Sequence, residues 1–161
     1  MFPTLDPTSR RLRLPYDQEV IINDTVGFIR DLPETLLSAF RATLEEISDS
    51  DLLIHVVDAA NPRVMQQIAS VNKILHDLEY DRIPQIVVLN KSDLLTVDQI
   101  DGLIRQIDLD TRLPSVAISA IRRETLRPLV EMVGERIRIP NSKFQISGGP
   151  DVQLGATESG I

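Results

Sequence analysis

Short apolar runs alternate with helical patterns along this chain, and that alternation limits the folds it can adopt. Apolar residues dominate the runs 20–22, 52–57, 86–89 and 116–118, each of which is short enough to be a strand. Between these runs and after the last one, apolar residues recur at spacings of three and four, which is typical of amphipathic helices. Strands that alternate with helices predict an α/β fold with a largely parallel sheet.

Local signals place the individual elements. The alternation over residues 11–14 predicts an edge strand, which turns at residues 15–17 into a second strand at 19–23. Helices are expected over residues 33–47, after a cap formed by Asn61-Pro62, after a capping box from Thr96 to Gln99, and over residues 126–137. We expect residues 1–139 to form one domain and the polar, glycine-rich residues 140–161 to form a flexible tail.

Composition argues against several functional classes. The 161 residues carry a formal net charge of −7, which argues against non-specific binding to nucleic acid. The sequence contains no cysteine, and hence no disulfide or thiolate metal ligand, which fits a reducing cytosol. No stretch approaches the ~20 apolar residues of a membrane span, and no apolar signal-peptide core is found near Met1. We therefore expect a cytoplasmic protein without a membrane span.

Two polar motifs follow predicted strands, at the strand ends where open α/β sheets bind their ligands. The motifs are Asp24-Thr25-Val26-Gly27, after the run 20–22, and Asn90-Lys91-Ser92-Asp93, after the run 86–89. A D-x-x-G sequence can place a carboxylate near a metal ion and a glycine amide near a terminal phosphate. An N-K-x-D sequence can offer an amide and a carboxylate to the edge of a guanine. Together the motifs indicate a guanine-nucleotide site.

The usual phosphate-binding loop does not occur in this sequence. There is no G-x-x-x-x-G-K-[ST] pattern, and the first glycine is Gly27. The sequence therefore predicts either a fragment of a nucleotide-binding domain or a domain that has lost its nucleotide chemistry.

Three runs resemble the G domain of HflX-type GTPases: TLDPT at residues 4–8, DTVGFIRDLP at 24–33 and AFRATLEE at 39–46. The resemblance extends over roughly residues 2–139. It implies an incomplete three-layer P-loop GTPase-type domain, Rossmann-like, with a mostly parallel sheet that lacks its first strand. That strand would lie between the strands at 19–23 and 52–57. The family also implies GTP and GDP as ligands, Mg²⁺ as the metal and the large ribosomal subunit as the partner.

The resemblance implies a role for each matching residue. Thr4 would ligate Mg²⁺ and sense the terminal phosphate, and Asp24 would hold the same ion through water. The Gly27 amide would bond the terminal phosphate. Asn90 and Lys91 would contact the purine, and the Asp93 carboxylate would accept hydrogen bonds that guanine offers and adenine does not. The implied nucleotide contacts are Phe2, Pro3, Thr4, Leu5, Asp6, Asp24, Thr25, Val26, Gly27, Asn90, Lys91, Ser92, Asp93, Ser119, Ala120 and Ile121, and the implied metal ligands are Thr4 and Asp24.

Two features depart from the family pattern. Phe28 stands where many GTPases have a glutamine that orients the attacking water, so no residue of this chain is assigned a catalytic role. Arg122 and Arg123 replace the glycines that usually follow a motif such as Ser119-Ala120-Ile121, which leaves the shape of that loop open.

Simpler interpretations remain for several of these residues. Asn90 and Asp93 could form only an Asx turn and a helix cap. His55 is expected in the core rather than as a ligand, and Asp58 is expected to brace a neighbouring loop.

Two functional hypotheses follow. The chain is either an N-terminally truncated HflX-type GTPase, with weak or no nucleotide binding by itself, or a degenerate, non-hydrolysing module that binds a protein or ribosomal partner. An unrelated doubly wound enzyme is a more distant third.

Overall fold

An antiparallel hairpin forms the N-terminal part of the structure, a computed structural model that describes residues 8–24 and 47–144. Strand β1 (Thr8–Leu14) pairs with β2 (Gln18–Asp24), in a register that sets Thr8 opposite Asp24 and Leu14 opposite Gln18. A 3-10 turn, Pro15–Asp17, joins them, and the fixed φ of Pro15 suits the first position of such a turn. The predicted edge strand and its turn are therefore confirmed.

A parallel sheet in the order β3-β4-β5 forms the centre of the molecule. Its strands are β3 (Leu53–Asp58), β4 (Gln85–Asn90) and β5 (Ser115–Ala117). The middle strand, β4, has five consecutive buried residues, as a strand covered on both faces requires. The α/β class with a parallel sheet is thus confirmed.

Three helices follow the strands of this sheet: α1 (Val64–Asp77), α2 (Val97–Thr111) and α3 (Arg127–Phe144). The predicted capping box starts α2: the Thr96 hydroxyl accepts from the Gln99 amide, and the Gln99 side chain accepts from the Thr96 amide. None of the helices in the described residues is long and apolar enough to cross a membrane.

Two helix boundaries differ from the sequence prediction. Helix α1 begins at Val64 with Arg63 as its N-cap, because the side-chain Oδ1 atom of Asn61 accepts from the Arg63 amide in a turn that precedes the helix. Helix α3 continues through Pro140 to Phe144, beyond the predicted start of the tail. Residues 145–161 and the predicted helix at 33–46 lie outside the described residues.

Helices cover the two faces of the sheet, which gives three layers. On one face, Val57, Val87 and Leu89 pack with Val64 and Ile68 of α1 and Ile107 of α2. On the other face, the core consists of Ile86, Val88, Val116, Ile118, Val133 of α3 and Leu14 from the hairpin. Leu14 is 4% exposed, so the hairpin contributes to the core through its turn end.

Strand β3 is less covered than its apolar sequence predicted. Ile54 and Val56 are 38% and 57% exposed, although they align with the buried Ile86 and Val88 on β4. Within the described residues β3 pairs with β4 alone, and β2 pairs with β1 alone. A nearly continuous apolar run such as 52–57 is typical of a strand covered on both faces. The structure differs from that pattern, since the face of β3 that carries Ile54 and Val56 is exposed beside the described elements.

Candidate functional site

The carboxyl ends of β3, β4 and β5 bring four polar residues together: Asp58, Asn90, Asp93 and Ser119. Asp58 lies directly opposite Asn90 in the register of the sheet. Leu89 lies opposite Ala117, and the Ile118 amide donates to the Leu89 carbonyl (2.9 Å), which places Ser119 beside the end of β4. This is the edge at which open parallel sheets bind ligands.

Asn90 joins the loops that follow β4 and β5. Its side-chain oxygen accepts from the Lys91 amide at 2.8 Å and from the Ala120 amide at 3.0 Å. Ala120 is thirty residues away along the chain, so this is more than the local Asx turn that a strand-end asparagine can form. Asn90 therefore fixes the two loops relative to each other.

Lys91 adopts a left-handed backbone conformation, with φ 62° and ψ 33°. Its ammonium group lies 2.7 Å from Oδ2 of Asp58. The Asp58 Oδ1 atom accepts from the Ala60 amide at 3.0 Å, so the carboxylate has a fixed orientation. The hydrogen bond from Lys91 lowers the pKa of Asp58 below its ordinary value, and burial opposes this shift without reversing it.

Asp93 lies in the 3-10 turn Ser92–Leu94, and its Oδ1 accepts a hydrogen bond from the Ser119 hydroxyl. Ser119 is 1% exposed, whereas Asp93 is only half-buried. The N-cap of α2 is Thr96, three residues after Asp93. The helix-cap interpretation of Asp93 is therefore wrong: its carboxylate faces the β5 loop instead.

Thr125 completes this arrangement, and sequence reasoning missed it. Its hydroxyl accepts from the Ser119 amide at 2.9 Å and lies within donating distance of two carbonyl oxygens. The signal in the sequence was a hydroxyl residue shortly after a loop that lacks glycine.

The other predicted site residues are only partly described. Asp24 ends β2 and is exposed. Residues 2–6 and 25–27 lie outside the described residues, so the metal role of Thr4 and Asp24 stays a prediction. Among the described residues, no group of three or more His, Asp or Glu side chains could hold a metal ion. Ile121 follows Ala120 in the loop after β5, and it is 82% exposed.

The family model described as "50S ribosome-binding GTPase" matches residues 1–91, more than half of the chain. The chain belongs to this family. The motifs that resemble an HflX-type G domain are thus correctly recognised, and relatives named GTPase HflX show the same likeness.

Two such relatives illustrate the extent of the similarity. The GTPase HflX of Caldanaerobacter subterraneus subsp. tengcongensis is 52% identical over 97 residues, which cover 60% of this chain and 23% of the relative. The GTPase HflX of Lacrimispora saccharolytica is 40% identical over 138 residues, which cover 86% of this chain and 31% of the relative. The chain thus spans about a quarter to a third of the length of these relatives.

Solved structures confirm the P-loop GTPase fold class. A crystal structure described as a complex of SsGBP and GDP is 27% identical, with a TM-score of 0.69, and covers 87% of this chain and 44% of that one. A GTP-binding protein from Sulfolobus solfataricus in complex with GDP is 28% identical, with a TM-score of 0.61 over 88% of this chain and 45% of that one.

Proposed function

We propose that this chain binds GTP and GDP through the guanine base, with Asp93 as the residue that selects the base. The observation that carries the proposal is the hydrogen bond between Ser119 and Asp93 across two loops, beside the Asn90 bridge. A carboxylate has about four lone-pair sites, so the bond from Ser119 leaves acceptors for the N1–H and amino group of guanine. Adenine presents no matching pair of donors.

The remaining contacts of the proposed site follow from the family. Lys91 would lie along the purine, and a backbone amide of the loop at residues 119–121 would be near the guanine carbonyl. Thr4 and Asp24 would hold Mg²⁺, and residues 2–6 and 25–27 would contact the phosphates. The proposed G domain comprises residues 1–139, and its proposed partner is the large ribosomal subunit.

Nucleotide affinity is proposed to be weak for the chain by itself. The amides and lysine of a phosphate loop would provide much of the binding energy, and the sequence lacks the G-x-x-x-x-G-K-[ST] pattern. Among the described residues, β2 and β3 lie in different sheets, and Ile54 and Val56 of β3 are exposed. Both observations support this proposal, because a strand between β2 and β3 would carry such a loop to the site. Hydrolysis would need a water-orienting group from elsewhere, since Phe28 has none.

Titration of the 161-residue chain with GDP and ADP, followed by amide NMR, tests this function. We expect shifts at Asn90, Lys91, Asp93 and Ala120 with GDP at high micromolar to millimolar concentration, and smaller shifts with ADP. Fusing a family strand and phosphate loop ahead of the chain should raise GDP affinity by at least tenfold. Nanomolar or low-micromolar GDP affinity of the unfused chain would refute the proposal of weak binding, and equal shifts with ADP would refute the guanine site.

The alternative, a non-hydrolysing module that binds a partner, is favoured by the same missing phosphate loop. It predicts that the fused protein still binds no GDP.

A further inference from the structure

The loop that connects β5 to α3 is closed by one side-chain hydroxyl. The hydroxyl of Thr125 accepts from the Ser119 amide at 2.9 Å, and it lies 2.7 Å from the Arg122 carbonyl and 3.0 Å from the Ser119 carbonyl. A hydroxyl has one proton to donate, and the Arg122 carbonyl oxygen is the better acceptor because it is closer. Two backbone bonds support the same turn, from the Arg122 amide to Ser119 and from the Thr125 amide to Arg122.

This closure replaces the one that glycine would provide. Residues 119–125 include no glycine, and none of them has a positive φ. The turn is therefore built from ordinary backbone conformations, and it depends on hydrogen bonds to hold Ser119 in place. Thr125 is half-buried, and its contacts with Ser119 are partly buried.

Ser119 transmits this constraint to the base site. Its amide is held by Thr125, and its own hydroxyl donates to Asp93. The next amide along the chain, that of Ala120, donates to Asn90. The Thr125 hydroxyl is therefore linked to Asp93 through Ser119, and to Asn90 through Ser119 and its neighbour Ala120.

We propose that Thr125 is a positioning residue for base selection: it fixes Ser119, and Ser119 orients the Asp93 carboxylate. The inference rests on the proposed function, since it assigns a consequence for nucleotide preference to a bond inside the proposed guanine site. Thr125 itself touches no base; it acts through Ser119.

Hydrogen exchange of the full chain tests the positioning step. Thr125→Val keeps the shape but removes the hydroxyl, whereas Thr125→Ser keeps the hydroxyl. We expect the Ser119 amide to exchange at least tenfold faster in Thr125→Val and less than threefold faster in Thr125→Ser. Unchanged Ser119 exchange in Thr125→Val would overturn the proposal, and so would equal acceleration in both variants.

Thr111→Val is the matched control. The Thr111 hydroxyl also bridges two backbone groups, donating to Ile107 at 2.7 Å and accepting from the Leu113 amide at 3.1 Å, but at the end of α2. Its loss should accelerate exchange at Leu113 and leave Ser119 unchanged. Acceleration of Ser119 in this control would mean that a general loss of stability, rather than the Thr125 contact, controls the loop, and would count against the proposal.

Titration with GDP and ADP, followed by amide NMR, tests the consequence for selection. The ratio of GDP to ADP affinity should fall by at least threefold in Thr125→Val and should be restored in Thr125→Ser. A wild-type chain with no preference for GDP would refute the guanine site itself. A wild-type preference that Thr125→Val retains in full would refute only the role of Thr125.

Discussion

Burial of His55 predicts that the stability of this domain depends on pH. The side chain lies in β3 on the face that packs against α1 and α2, and its Nδ1 atom is buried without a hydrogen-bond partner in the described part of the chain. Removal from water disfavours the imidazolium, so burial lowers the pKa of His55 from 6.5 to about 4. The expectation that His55 is a core residue agrees with this environment.

The sign of the effect follows from proton uptake. In the unfolded chain His55 takes up a proton as the pH falls through about 6.5, whereas the folded protein resists protonation until about 4. The unfolded state therefore binds more protons in this interval, and stability falls as the pH decreases. With ~1.4 kcal/mol per pKa unit, the free energy of unfolding should fall by about 2 kcal/mol between pH 7 and pH 5. That is a large part of the roughly 5–15 kcal/mol that stabilises a typical domain.

Urea unfolding, followed by circular dichroism at pH 7, 6 and 5, measures this loss. We expect His55→Val to remove most of the pH dependence in this interval. The control is His76→Gln, because His76 is the other histidine and is exposed, with Asp81 as its partner at 3.0 Å. Wild-type protein with the same free energy of unfolding at pH 7 and pH 5 would refute the burial argument. A His55→Val variant as pH-dependent as wild type would assign the effect to other groups.

Two further substitutions test individual contacts. In the fused protein that carries a phosphate loop, Asp93→Asn should weaken GDP binding more than tenfold and relax rejection of xanthine nucleotides, because losing a charge-assisted partner costs ~1.5–3 kcal/mol. Calorimetry measures this, with Asp101→Asn on the exposed face of α2 as the control; unchanged GDP affinity would remove Asp93 from base reading. Thr96→Ala should lower the free energy of unfolding by about 1 kcal/mol in urea titrations, because it deletes the cap of α2. An equally stable Thr96→Ala variant would mean that the capping box contributes nothing.

The features that sequence reasoning found depend on neighbouring residues. The capping box from Thr96 to Gln99 lies within four residues, and the five-residue buried stretch of β4 is a continuous apolar run. Both leave a pattern that can be recognised without knowing the rest of the fold. The same holds for the order of strands and helices from β3 to α3.

The features that it missed depend on distant residues or on what covers a surface. Lys91 and Asp58 are 33 residues apart, and only the parallel register of β3 and β4 brings them together. The apolar sequence of β3 shows what the strand could bury, but the exposure of Val56 depends on which element lies above it. The Asn61 turn was mistaken for a helix cap because both use the same side-chain oxygen.

The backbone of Lys91 shows a conflict between folding and the proposed function. Its φ of 62° lies in the left-handed region, which costs a residue with a Cβ atom roughly 1–2 kcal/mol and costs glycine little. A glycine would therefore relieve this strain, but it would also remove the ammonium group that meets Asp58. The sheet edge at Lys91 is thus less stable than a glycine would make it, and what the chain gains in exchange is a fixed positive charge next to the proposed base site.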